Sequence, residues 1–291
     1  MPMRQTQSRR MTRANPSANP PSNRPADWLV PDWPAPPAVR AVCTTRACPA
    51  GVAPSAMPWG DFNLARHVGD APQAVAAHRV ALAACLGARP VFLEQTHGTR
   101  AICLRPETPD GLPADAAVTG AAGLACAVMV ADCLPVLLAR ADGRAVAAAH
   151  AGWRGLAGGV LEAAAQALRH MDAPDAAACP EVIAWLGPCI GPAAFEVGPE
   201  VRATFIEAAH APAETAACFA PLPGGKYLAD LPALARLRLA ALRIRAWGND
   251  GTPAWCTASQ PQRFYSWRAA SRARQATGRM AACIWLENAA G

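Results

Sequence analysis

Lysine is almost absent from this sequence: Lys226 is the one lysine among 27 basic residues. Charged residues reach only 16% and aromatic residues 6%, which argues against a coiled coil, while a hydrophobic content of 52% argues against a wholly disordered chain. Long apolar runs are missing too. The longest uncharged run near the middle, from Ala116 to Ala131, contains Gly120 and Gly123 and stops at Asp132. It is too short to span a bilayer, so a soluble body is expected. No apolar stretch follows the first residues, and no secretory signal is expected. Among eleven cysteines there is no Cys-x-x-Cys. An odd number of thiols, many inside apolar runs, reads as buried or reactive groups in a reducing compartment, with the cytoplasm as the default, not as a disulfide framework.

The formal net charge of +6 does not point to nucleic acid once it is located. Arg4, Arg9, Arg10, Arg13 and Arg24 fall within the first 26 residues, which hold no acid; subtracting those five from +6 leaves +1 for the rest. The body is close to neutral. Neither a nucleic-acid nor a membrane partner is expected.

The length of 291 residues suits one large domain, or at most two. Residues 1–37 hold nine of the 29 prolines and read as a disordered Pro/Arg-rich extension; its prolines leave no amphipathic helix for a transit peptide. Residues 38–291 read as the folded domain. Helical spacing predicts a helix over 73–86, with Val75, Val80, Leu82 and Leu86 on one face, and further helices over 156–170, 199–209 and 231–247. Short apolar runs predict strands over 90–93, 123–130, 134–139, 145–149, 182–186 and 280–286. Strands outnumber helices and come in antiparallel-looking pairs. The expected class is α+β: a single mixed domain with packed, largely antiparallel sheets flanked by helices.

Three polar groups stand at the ends of neighbouring buried strands: His97, Cys133 and His150. One thiolate and two imidazoles form a borderline-soft donor set for Zn²⁺ or copper, and three ligands leave a fourth position open. The separations resemble no zinc finger, and a cysteine in an apolar run also serves as a small core residue. Gly152, Gly155, Gly158 and Gly159 crowd the strand-to-helix junction after His150, where Arg154 can meet a phosphate or pair within the fold. Asp132 and Asp115 are carboxylates beside apolar stretches, each open to work as a base or as a partner to a ligating histidine. The capping or turn role is preferred for Asp115. Cys189 sits in a glycine-bounded loop and reads as reactive or simply buried. His67 lies in the turn-rich stretch 61–70, together with Asn63, at a possible pocket mouth. His78, His170 and His210 fall on helical segments and are expected at the surface.

Four phrases carry a resemblance: Gln95-Thr96-His97-Gly98, Ala131-Asp132-Cys133-Leu134-Pro135, Ala149-His150-Ala151-Gly152-Trp153-Arg154-Gly155 and Leu186-Gly187-Pro188-Cys189-Ile190-Gly191. Phe62-Asn63-Leu64, Phe195-Glu196-Val197-Gly198 and Thr277-Gly278-Arg279-Met280 agree with them. Together they resemble the laccase-domain family, also called the YfiH or polyphenol oxidase family, over roughly residues 55–287. The resemblance implies a one-domain α+β fold, similar to that of cysteine-hydrolase toxins. It implies a mononuclear metal, zinc or possibly copper, on His97, Cys133 and His150. It also implies phosphorolysis of adenosine, inosine and methylthioadenosine, with adenosine deamination as a side activity. On that basis Cys133, His150, Arg154 and Asp132 are expected to be catalytic. His67, Asn63, Arg154 and Cys189 are expected to bind substrate. The alternatives are a Cys133–His150 hydrolase or amidase acting on a cell-wall precursor, a copper-dependent phenol oxidase, and a metal-binding protein without activity. Ser266-Trp267-Arg268 departs from the family's Ser-Tyr-Arg, so no hydroxyl is available there.

Overall fold

Alternation of apolar side chains fixes which strand faces which layer, and the layers in turn fix where the polar strand ends emerge. The computed structural model describes residues 24–171 and 180–288. Its first strands are β1 (Val39–Cys43), β2 (Arg89–Phe92), β3 (Ala101–Cys103), β4 (Ala116–Thr119), β5 (Leu124–Val130), β6 (Leu134–Arg140) and β7 (Val146–Ala151). They are followed by β8 (Val182–Leu186), β9 (Glu196–Val197), β10 (Phe219–Pro221), β11 (Tyr227–Ala229), β12 (Arg245–Gly248) and β13 (Met280–Leu286). The helices are α1 (Pro72–Leu86), α2 (Trp153–Gly158), α3 (Val160–His170), α4 (Pro199–Glu207), α5 (Pro212–Ala217), α6 (Leu231–Ala241) and α7 (Trp267–Arg272).

A four-stranded sheet, β1-β13-β5-β2, stacks on a six-stranded sheet, β12-β8-β6-β7-β4-β3. A small separate sheet, β10-β11-β9, shares a core with the helix-covered face of the six-stranded sheet through Val197, Phe219 and Ala229. Most pairings are antiparallel; β2 with β5, β3 with β4, and β12 with β8 are parallel. In β5, Leu124, Cys126 and Val128 face the six-stranded sheet, while Ala125, Ala127 and Met129 face the layer of α1. In β6, Leu137 and Ala139 face the four-stranded sheet, while Leu134, Val136 and Leu138 pack under α2, α3 and α6. Each strand is therefore apolar on both faces, which is why the sequence shows continuous runs and not simple alternation. The result is a single mixed α+β domain, as the patterning predicts.

Three expectations are corrected. The helix expected over 156–170 breaks at Gly159, whose φ of 103° no helical residue adopts, so α2 and α3 are separate. The helix expected over 231–247 ends at Ala241; Arg245–Gly248 pairs with β8 as an edge strand instead. Val80 is 72% exposed, so the buried face of α1 is Val75, His78, Leu82, Cys85 and Leu86.

The expected disordered extension lies partly outside the described residues, as residues 1–23 do. Residues 24–37 are packed. Trp28 is buried among Val42, Phe62 and Leu82, and its Nε1 donates to the Ala47 carbonyl at 2.9 Å. Leu29 exchanges two backbone hydrogen bonds with Cys43 at the end of β1. Composition averaged over the segment hides these two apolar anchors among the prolines.

Candidate metal centre

β6 and β7 are antiparallel neighbours, with Leu134 opposite Ala151 and Pro135 opposite His150. Cys133, one residue before β6, and His150, near the end of β7, are thereby brought to the same sheet end. β4 pairs with β7 from the other side, Ala116 opposite Ala149, which sets Asp115 beside His150; the His150 N–H donates to the Asp115 carbonyl at 2.7 Å. The loop after β2 carries His97 to the same place. It is clamped by Gln95, whose side-chain amide donates to the Met129 carbonyl and accepts from the Met129 N–H at 2.8 and 2.7 Å.

The ligand atoms of His97, Cys133 and His150 all lie within 4.8 Å of one another. His97 Nε2 is 3.7 Å from Cys133 Sγ. Zinc at about 2.3 Å from sulfur and about 2.1 Å from nitrogen, with tetrahedral angles, separates those two atoms by about 3.6 Å. The residues fit a metal ion. The two imidazole rings meet edge to face, with centroids 4.8 Å apart. A Cβ on Gly152 would fall 2.8 Å from His97 Cδ2 and 3.0 Å from Cys133 Sγ, so only glycine lets α2 approach the three ligands this closely.

Asp115 organises the histidine side. It is completely buried and accepts at its two carboxylate oxygens from the N–H groups of Thr96, His97 and Gly98, from the Thr96 hydroxyl, and from His150 Nδ1 at 2.8 Å. His97 adopts a left-handed backbone at φ 60°, uncommon outside glycine, and the three N–H bonds hold it there. With Nδ1–H engaged, His150 presents Nε2 towards the cluster, the arrangement by which a carboxylate fixes a metal-binding imidazole. Burial opposes ionisation of Asp115, but the bonds from His150, Gly98 and Thr96 outweigh it and hold the carboxyl at about 2. Burial likewise pushes the Cys133 thiol up, and His150 and His97 more than reverse this. For His150 burial opposes protonation, and Cys133 and Asp115 raise its pKa. In the absence of metal these effects favour a thiolate–imidazolium pair.

The other expected site residues sit as follows. Asp132, at φ 95°, accepts from the Thr257 hydroxyl at Oδ1 and from the Arg268 N–H at Oδ2, both at 2.6 Å. Its carboxylate thus ties the C-terminal segment to the Cys133 turn. Asn63 is completely buried and bonds to Ala65, Asp70 and the Arg279 N–H; it braces a loop and offers no free group to a substrate. Cys189 is buried, its thiol near the Ile190 carbonyl and the Asn249 amide, and burial raises its pKa well above the usual thiol range. Arg154 is exposed and stacks on the Trp153 ring at 4.4 Å. His67 is exposed. His78, expected at the surface, is instead completely buried, with its ring nitrogens on the Asn63 and Ala53 carbonyls. His170 and His210 are exposed.

Residues 40–287 match the family model described as multi-copper polyphenol oxidoreductase laccase. The chain belongs to this family. It is 47% identical to "Purine nucleoside phosphorylase PA4543" of Pseudomonas aeruginosa over 262 residues, 90% of this chain and 99% of that one. It is 43% identical to "Purine nucleoside phosphorylase YfiH" of Escherichia coli K12 over 261 residues, 89% and 98% of the two chains. Among solved structures, Neisseria meningitidis protein NMB0706 superposes with a TM-score of 0.78 at 42% identity, covering 90% of this chain and 100% of that one. YlmD from Geobacillus stearothermophilus gives 0.76 at 27% identity, covering 93% and 100%. Among the described residues of this laccase-like chain, no helix is long and apolar enough to cross a membrane.

The sequence offered Asp115 as a partner to a ligating histidine, but the turn role was preferred, and Gln95, although part of a quoted phrase, was given no role. The signal for Asp115 was a single acid set in Leu112-Pro113-Ala114-Asp115-Ala116-Ala117-Val118, where a turn role and a buried polar role look alike.

Proposed function

We propose that the chain is a metal-dependent purine nucleoside phosphorylase. It cleaves adenosine, inosine and methylthioadenosine with phosphate to the base and a ribose 1-phosphate, and deaminates adenosine as a side activity. The observation that carries this is the His97–Cys133–His150 cluster, closed on one side by Gly152 and organised by Asp115, in a chain whose relatives bear that name. Zinc suits a two-imidazole, one-thiolate donor set; copper is the second choice. When bound, the metal supplies Lewis-acid polarisation at the open position.

In phosphorolysis a phosphate oxygen bonds to C1′ while the C1′–N9 bond breaks, and the purine leaves with that electron pair and gains a proton. The chain's part is to hold the nucleoside and the anion in line while charge develops on the ribose. Asp115 locks the His150 ring and the His97 backbone, so neither ligand has to reorganise. Arg154 supplies a phosphate contact from the rim, its guanidinium steadied on Trp153. His67 stands at the mouth as a substrate contact. Purine nucleosides and phosphate are the partners, and the cytoplasm suits a chain whose described cysteines are free thiols.

The test is inosine plus phosphate, read as hypoxanthine and ribose 1-phosphate. Product that requires phosphate and disappears on chelation supports the reading. Hypoxanthine without any phosphate requirement defeats it.

A second reading is favoured by one observation: Cys133, His150 and Asp115 also form a thiol–imidazole–carboxylate series, the layout of a cysteine hydrolase. In metal-free protein, alkylation of Cys133 should stay fast from pH 9 down to about 7 and slow as the pH falls through about 6, because the lowered pKa keeps the reactive thiolate present above that value. Activity on an amide that survives chelation, with Cys133 trapped by an electrophile, selects the hydrolase.

A further inference from the structure

We propose that Arg279 is the inner anion contact of this site and receives the phosphate co-substrate beside the Cys133 turn. The identity of the anion rests on the phosphorylase reading; the existence of the seat does not. Met280 is opposite Val130 in the β13–β5 ladder, so Arg279, one residue earlier, stands beside Ala131-Asp132-Cys133. Its backbone is fixed on both sides: its N–H donates to Asn63 Oδ1 at 2.9 Å and its carbonyl accepts from the Leu64 N–H at 3.2 Å. The preceding Gly278 is wedged so tightly that a Cβ there would fall 2.7 Å from the Tyr265 ring. A rigid platform thus carries a half-buried guanidinium to the end of the sheet where the three ligands meet.

Its donors are only partly used. Nη1 reaches the Thr277 and Gly278 carbonyls at 3.2 and 3.0 Å. Nε and Nη2 have no protein acceptor among the described residues, yet neither is sealed from solvent as an orphan; only Glu162 Oε2 and Arg169 Nε are. Three nearby arginines pair with acids: Arg46 with Asp61, Arg79 with Asp110 and Arg263 with Asp27. Among the described residues Arg279 pairs with no carboxylate. Asp132, on the turn beside it, points its two oxygens at Thr257 and at the Arg268 N–H. A planar fork with two open donors in a partly desolvated place matches two oxygens of a phosphate.

The surroundings agree. Burial lowers the Arg279 pKa, while the charges of Cys133 and Asp132 act to raise it, so the guanidinium feels the metal-centre turn directly. Burial and the charges of Arg279 and Arg79 lower the pKa of His67.

Inorganic phosphate titrated into the metal-loaded protein, without nucleoside, tests the seat by calorimetry. Arg279→Gln should weaken phosphate binding about 10- to 100-fold, the loss expected for one charge-assisted contact, and Arg279→Lys should fall between it and the wild type. Metal content and melting temperature should be unchanged. A properly folded Arg279→Gln protein that binds phosphate as tightly as wild type overturns the proposal. A second measurement needs no variant: phosphate should protect Arg279 from phenylglyoxal, read by peptide mass, and the absence of protection overturns the proposal equally. Phosphate bound through Arg279 in a protein that leaves inosine intact supports the seat and defeats only the phosphorylase reading.

Discussion

Two aspartates flank the His97–Cys133–His150 cluster, and they do opposite jobs. Asp115, on the histidine side, turns its carboxylate into the site, where it binds one metal-ligand ring and three backbone N–H groups around the other ligand. Asp132, beside Cys133, turns its carboxylate outward to Thr257 and Arg268 and fastens the C-terminal segment. Read along the chain, Asp132 is the more tempting catalytic group because it adjoins a ligand. In space Asp115 is the one bonded to both histidines, although the nearest residues of the cluster in sequence, His97 and Cys133, each lie eighteen residues away. Proximity in sequence to a ligand says little about which polar group orients it. The cross-strand register decides that, here through the Ala116–Ala149 pairing that sets Asp115 against His150.

The largest expected effect lies where the two sides meet. Cys133→Ala should remove the metal and reduce phosphorolysis to background while the protein stays folded, which elemental analysis and a melting curve check together. A full equivalent of zinc in that variant would break the ligand assignment. Gly152→Ala comes next, because its new Cβ would press on both His97 and Cys133. It should lower metal affinity severely at little cost to the remote core, and zinc titration with a chelating dye reads it. Normal affinity would mean that the ligands move aside and that the glycine is not required. Arg154→Ala should be milder. With the side chain exposed, its loss should raise the apparent Michaelis constant for phosphate about tenfold, within the range of one charged contact. Metal content and adenosine deamination should be unaffected; equal loss of both activities would move Arg154 to the nucleoside.

Much of this site was legible in the sequence because its ligands end continuous apolar runs. Leu124–Val130, Leu134–Arg140 and Val146–Ala151 are strands buried on both faces, and a histidine or cysteine where such runs stop has few places to be other than a shared sheet end. What stayed hidden depended on partners far along the chain. Asn63, Arg279 and Tyr265 meet across more than 200 residues, and no local pattern announces that meeting. His78 looked like a solvated helix position because the apolar period of α1 was assigned through Val80; a rotation that exposes Val80 buries His78. The break falls at the Gly158-Gly159 pair; helix formers over 161–170 carried the expected helix across it, although each glycine costs about 1 kcal/mol and Gly159 adopts a left-handed turn at φ 103°.

If Asp115 serves the His97–Cys133–His150 cluster and Asp132 the scaffold, their asparagine variants will part in zinc affinity. A chelator-competition measurement of zinc affinity on Asp115→Asn and Asp132→Asn, side by side, tests it most directly. Asp115→Asn should lose about 10- to 100-fold in affinity, on the order found when a carboxylate behind a ligating histidine is removed, and Asp132→Asn should change within about twofold. Equal losses in the two variants, or the larger loss in Asp132→Asn, would contradict it.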